Sequence, residues 1–174
     1  MFSNPEKNLI QFGISVGMQI ADFGSGNGYY AFLLARKVGE TGRVYCIDVQ
    51  SDMLQKIAKE AETENIQNIE IITSDIEKEK GSTLTKDSVD VVLIANTLFQ
   101  NDDKHAVAKE ALRILRVKGR VLVIEWADSF AGMGPHKDHL VKKEDALKIF
   151  TDAGLVLDHE IDAGEHHYGL VFRK

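Results

Sequence analysis

A chain of 174 residues, 44% hydrophobic and 28% charged, has the size and composition of one ordinary globular domain with a substantial core. Its net charge of −6 supplies no basic footprint for nucleic acid, and no apolar run approaches the ~20 residues that span a bilayer. The one cysteine, Cys46, excludes an internal disulfide and points to a reduced, cytoplasmic setting. Met1 to Glu6 has neither the basic region nor the apolar core of a signal peptide.

Residues 2–12 read as a short helix capped by Ser3 or Asn4, with Pro5 in its first turn. Gln19–Phe23 is an apolar run that reads as a buried strand. Gly24, Gly26 and Gly28 break it, and a periodic helix follows from about Tyr29 to Val38, with Phe32, Leu33 and Ala35 inward. Arg43–Asp48 is the second strand. Ser51 is placed to cap a helix with Met53, Leu54, Ile57, Ala58 and Ala61 on one face. The third strand, Ile69–Thr73, runs into Ser74-Asp75-Ile76, and the charged segment Glu77–Lys86 reads as a loop or short helix.

Val89–Ala95 is nearly continuous in its apolarity, as a strand buried on both faces of a parallel sheet must be. Asn96-Thr97-Leu98-Phe99 ends it. Asp102 and Asp103 open a helix that buries Val107, Ala111, Ile114 and Leu115 and stops at Lys118-Gly119. The fifth strand is Arg120–Trp126, and the loop from Ala127 to Val141 holds Gly132, Gly134, Pro135, His136 and His139. A last helix, Lys143–Ala153, precedes two strands, Leu155–Ile161 and Tyr168–Phe172, close enough to form an antiparallel hairpin.

Strand, glycine loop, helix is the first unit of a doubly wound α/β domain, whose ligand lies beyond the carboxyl ends of the strands. A dinucleotide fingerprint starting at Gly24 and Gly26 requires a third glycine at position 29, where Tyr29 stands. The pattern present is an acid with glycines two, four and six residues on: Asp22, Gly24, Gly26, Gly28. It resembles motif I of the class I S-adenosylmethionine-dependent methyltransferases. An acid suits that cofactor, which carries an amino group and a sulfonium and no phosphate. Asp48 ends the second strand about 20 residues beyond the loop, where a carboxylate can accept both ribose hydroxyls.

The resemblance covers nearly the whole chain and implies a Rossmann-like α/β fold. Its doubly wound, seven-stranded sheet would have the order 3-2-1-4-5-7-6, with strand seven antiparallel. It implies one domain over residues 1–174, with the helical segment 1–16 packing near the cofactor edge. It also implies that Asp75 receives the adenine amine and Ile76 packs on the ring. Ser25 and Val49 flank these positions and complete the expected cofactor contacts, with Asn96 near the reacting methyl. The chain looks most like the small-molecule methyltransferases of the quinone-biosynthesis type, in its Asp-Val-Gln-Ser-Asp-Met-Leu, Lys-Gly-Arg-Val-Leu-Val-Ile-Glu and His-Tyr-Gly-Leu-Val-Phe-Arg-Lys segments. Ser25, Asn27 and Val117 depart from residues frequent in that group.

Methyl transfer to an oxygen or carbon of a small molecule, with S-adenosylhomocysteine as product, is the activity this resemblance implies. Asn96 and Phe99 without intervening prolines disfavour a planar amide or exocyclic amine as acceptor, and one cysteine disfavours arsenic. An oxygen or carbon acid needs a base within about 3 Å of its proton. His105, Glu125, His136, His139 and His166 are the candidates, with Glu125 and His136 selected beside Asn96. His136, His139, His166 and His167 lack the ligand pattern of a zinc site, so no metal is expected. The alternatives are a module that binds S-adenosylmethionine or S-adenosylhomocysteine without turnover and a NAD-dependent oxidoreductase, which Tyr29 disfavours.

Overall fold

Each β-α unit places an apolar strand in the sheet interior and lays its helix on one of the two faces. In the computed structural model, which describes residues 3–130 and 132–174, β1 (Gln19–Phe23), β2 (Arg43–Asp48), β3 (Ile69–Thr73) and β4 (Val89–Ala95) take the expected bounds. β5 (Leu115–Trp126), β6 (Val156–Ile161) and β7 (His167–Arg173) complete a seven-stranded sheet of order β3-β2-β1-β4-β5-β7-β6. β7 runs antiparallel to both neighbours, and the other pairings are parallel. The Rossmann-like order expected from the sequence is the order observed.

Helices α1 (Pro5–Phe12), α2 (Tyr29–Val38) and α3 (Ser51–Thr63) cover one face, and α4 (Lys104–Ile114) and α5 (Lys143–Asp152) cover the other. β4 shows why its sequence is so apolar: Val91, Val92, Leu93 and Ile94 are all at most 1% exposed, packed from both sides. Phe23 pairs with Ile47 on one side and Ile94 on the other, so β1, β2 and β4 end level. The chain reverses its direction of winding between β1 and β4, and that switch point opens a crevice at the carboxyl edge.

Several local expectations are corrected. Residue 2 of the expected helix 2–12 lies outside the described residues; α1 starts at Pro5, with Asn4 Oδ1 accepting from Lys7 N at 3.1 Å. Leu34 rather than Leu33 is buried on α2, and Ala58 is exposed on α3. Ser51 does not cap α3; Asp48 Oδ1 accepts from Gln50 N at 2.9 Å just ahead of the helix. α4 ends at Ile114, four residues before Lys118, because Leu115 turns extended (ψ 136°) and pairs with Val89. The Lys174 ammonium takes the carbonyls of Leu112 and Leu115, so the helix end is closed by a side chain from the end of β7.

Candidate functional site

The loop between β1 and α2 is held almost entirely by backbone. Gly24 N and Ser25 N donate to Ile47 O at 2.8 and 3.2 Å, Gly28 N donates to Ser25 O at 2.8 Å, and Gly26 N donates to Asp48 Oδ2 at 2.9 Å. The glycines serve different ends. A Cβ on Gly24 (φ +73°) would lie 1.9 Å from Thr97 Oγ1, so the β4 turn packs directly on bare backbone. A Cβ on Gly26 (φ +51°) would meet nothing nearer than Gly24 O at 3.9 Å, because this glycine faces open space. Gly28 is filled from behind by Ile57.

That open space is a cleft of about 600 Å³, a volume typical of small-ligand sites. Asp22, Gly24, Ser25, Gly26, Asp48, Val49, Asp75, Ile76 and Asn96 all line it. Gly28 does not line it. Asp48 is more constrained than its position in sequence suggests, since its two oxygens already hold Gly26 N and Gln50 N. Asp75 Oδ1 accepts from Glu77 N at 3.0 Å, and a Ser74 Oγ to Gly81 O bond closes the loop that carries it.

Three buried oxygens of cleft-lining residues, on Asp22, Asn96 and Asn101, have no partner among the described residues, and the first two point to what the cleft holds. Asp22 is 3% exposed, and its Oδ2 has no partner among the described residues. Burial pushes its carboxyl up to about 7; Asp48 adds to the rise, and the Ser25 hydroxyl opposes it. Asn96 sits at φ +54°, a conformation asparagine tolerates better than most residues, and its Oδ1 is likewise buried and unmatched among the described residues. Unmatched buried acceptors are costly, and here they occur together on a ligand-sized space. Among the described residues no lysine or arginine lines the cleft. It therefore offers a pyrophosphate no cationic side chain, whereas its four carboxylates, Asp22, Asp48, Asp75 and Glu77, and a bare glycine suit an amine, a ribose and a cationic centre.

The selected base candidates fall elsewhere. Glu125 is 1% exposed and outside the cleft; its Oε1 accepts from Leu98 N at 2.7 Å. Burial pushes its carboxyl up to about 7, against the pull of the Leu98, Trp126, Thr97 and Phe99 amides. It holds the single 3₁₀ turn Leu98–Gln100 that follows Asn96. His136 is exposed beside Asp138 at 3.1 Å, and His105 and His139 are exposed too. His166 bonds Asp128 at 2.8 Å. Only Asn96 of the three selected residues reaches the cleft.

Tyr29, Tyr30, Gln100 and Asn101 also line the cleft and were not anticipated. The tyrosines were discoverable, because the first turn of a helix leaving a glycine loop must face the ligand. Thr97 carried no such signal, since its contact with Gly24 joins positions 73 apart. Among the described residues no cluster of metal-binding side chains occurs, and no helix is long and apolar enough to cross a membrane.

Sheet order, switch-point cleft and acid-glycine loop together define a class I methyltransferase domain. A family model described as "Methyltransferase domain" matches residues 14–170, and the chain belongs to that family. It is 32% identical to the demethylmenaquinone methyltransferase of Lactococcus lactis over 119 residues, covering 68% of this chain and 46% of that protein. The ubiquinone/menaquinone biosynthesis C-methyltransferase UbiE of Shewanella halifaxensis is 25% identical over 158 residues, 88% of this chain and 59% of that protein. The chain thus spans about half the length of these curated relatives. A SAM-dependent methyltransferase from Aquifex aeolicus superposes with a TM-score of 0.90 at 27% identity, covering 99% of this chain and 90% of that one.

Proposed function

We propose that this domain transfers a methyl group from S-adenosylmethionine to an oxygen or carbon of a small-molecule acceptor, leaving S-adenosylhomocysteine. The observation that carries the reading is the pair of unmatched oxygens on Asp22 and Asn96, converging on a cleft whose glycine loop is bare at Gly26. When bound, the cofactor supplies an electrophilic methyl on a positive sulfur. Asp22 answers its positive charge, and Asp48 accepts from the ribose through lone pairs left over from Gly26 and Gln50. Asp75 accepts from the adenine amine, and Ile76 packs on the ring. Asn96 lies nearest the transferred group, held by the turn that Glu125 anchors, so Glu125 acts through Asn96 and touches no substrate.

The 174 residues act as one domain in this reading, with residues 1–16 bounding the cofactor edge. Supporting that, Ser3 and Pro5 line the cleft, and Asn8 Nδ2 donates to Ser3 Oγ and to Tyr30 Oη. The quinone-related names of the curated relatives favour a small, planar acceptor, and the acidic net charge disfavours nucleic acid. A reduced cytoplasmic setting suits the buried, unpaired Cys46. Titration calorimetry tests the assignment: S-adenosylmethionine and S-adenosylhomocysteine should bind with affinities of roughly micromolar order, and NAD should not bind. Tight NAD binding with no response to the other two overturns it.

A further inference from the structure

A second group of aromatic and titratable side chains lies at the same carboxyl edge, on β5 and β7, one and two strands beyond β4. Register fixes its place. Ala95, which lines the cleft, pairs with Ile124; Ile124 pairs with Gly169, and Trp126 pairs with His167. Alternation along β5 puts Trp126 on the face of Leu122 and Ile124, the face that α1 and α2 cover. His167 joins it there as its antiparallel partner. Trp126 thus stands two residues, about 6.6 Å, beyond the level of Ala95, on the cleft side of the sheet.

The Trp126 and His167 rings are 4.2 Å apart at 39°. Gly134 closes the other side of the indole, where a Cβ would come within 2.8 Å of Trp126 Cε3. His167 is 8% exposed, and neither ring nitrogen has a partner among the described residues. Its backbone N–H donates to Gly164 O, so the main chain is satisfied and the imidazole is not. Three other histidines, His136, His159 and His166, each have a carboxylate within 3.1 Å. A buried imidazole with both nitrogens idle is costly to keep, and it stands on β7, two strands from the β4 end that carries Asn96.

We propose, on the methyl-transfer reading above, that His167 accepts the hydroxyl proton of the acceptor, a phenol or enol seated at the Trp126–His167 edge. Burial, with His166 adding, lowers the imidazole below its ordinary pKa, against the pull of Asp128, so the ring is neutral and able to accept at pH 7. The step balances. As the acceptor oxygen or its conjugated ring carbon bonds the methyl, the sulfur–methyl bond breaks and its electron pair stays on sulfur. The hydroxyl proton passes to a His167 ring nitrogen, so the positive charge moves from sulfonium to imidazolium and is lost to water when product leaves. After carbon transfer, instead, the dienone loses its ring proton to water and its oxygen takes a proton back from the imidazolium, which restores the hydroxyl and the neutral ring with one proton released.

The test uses the whole chain with histidine labelled in the ring nitrogens, saturated with S-adenosylhomocysteine and titrated with 2-naphthol as a phenolic probe. His167 resonances, assigned by their loss in His167→Gln and His167→Phe, should shift saturably with naphthol. His167→Phe should weaken naphthol about tenfold or more, with His167→Gln intermediate, while S-adenosylhomocysteine binds all three proteins equally. Naphthol that fails to bind, or binds without moving His167 or without loss in the variants, overturns the proposal while the cofactor reading stands. Failure of S-adenosylhomocysteine to bind the unaltered chain overturns both.

Discussion

At the β1–β4 end of the carboxyl edge the ligand space is shaped by main chain: three loop amides converge on Ile47 O and Asp48, and Gly24 is pressed against Thr97. At the β5–β7 end of the edge, outside the cleft, side chains make the contacts. Trp126 lies on His167, Phe130 stacks on His166 at 4.2 Å, and Glu125 reaches back to a turn amide. A backbone-built region tolerates few residue types at few positions and leaves a spacing signature. A region built by side chains from distant strands can change its chemistry with the fold intact, which suits an end that must select an acceptor.

The sharpest way to break this contrast is inside the glycine loop itself. Gly24→Val should unfold the protein or lower Tm by about 10 °C or more, since overlap with Thr97 adds to a left-handed φ. Gly26→Val has open space around it and should keep its circular dichroism and most of its Tm, yet lose cofactor binding by about 100-fold. Equal behaviour of the two variants in melting and calorimetry would show that the loop is only a turn.

Asp48→Asn comes next. An amide can satisfy one of the Gly26 and Gln50 N–H groups but turns its NH₂ toward the other, so the unliganded Tm should fall by about 3 °C. Cofactor affinity should drop about tenfold as the charge-assisted bonds to ribose weaken. The smallest effect belongs to Glu125→Gln. Its amide oxygen can still accept from Leu98 N, so cofactor Kd should stay within about threefold, whereas Glu125→Ala should disturb Asn96 and cost about tenfold. A Glu125→Gln loss as large as the alanine loss would point to a charge role for the carboxylate.

The contrast also explains what could be read ahead of the structure. β1, β2 and β4 were legible to the residue because a parallel strand inside the sheet is a bounded apolar run ended by a turn, and the edge strand β3 was legible from its β-branched residues. Asp22, Asp48 and Asp75 could be placed on the cleft because each lies at or just past the carboxyl end of β1, β2 or β3. The end of α4 was misplaced because the stop at Ile114 depends on Lys174, Asp90 and Val89, none of them local; Arg116 is held to Asp90 at 2.8 Å. Glu125 and His136 were chosen for residue type near the right edge, and type alone does not say whether a side chain faces the cleft, the turn below it or solvent. His167 was passed over for the same reason, since an imidazole made idle by burial looks in sequence like any other.

The central claim is that the buried Asp22 carboxyl awaits a cation. An acid whose folded pKa is raised contributes stability that is full below its unfolded value, near 4, and lost as pH rises through about 7. Asp22→Asn should therefore raise the unliganded Tm above pH 7, by about 3 °C, with the gain fading toward pH 5. A bound sulfonium and amine would draw the proton off. Calorimetry with S-adenosylmethionine between pH 5.5 and 7, a range below the ~7.7–8.0 of an α-amino group, measures this directly. The unaltered protein should bind with release of about one proton at pH 6 and gain affinity by up to about tenfold per pH unit, and Asp22→Asn should show neither. Binding that is flat across that range and unchanged in Asp22→Asn would contradict the account.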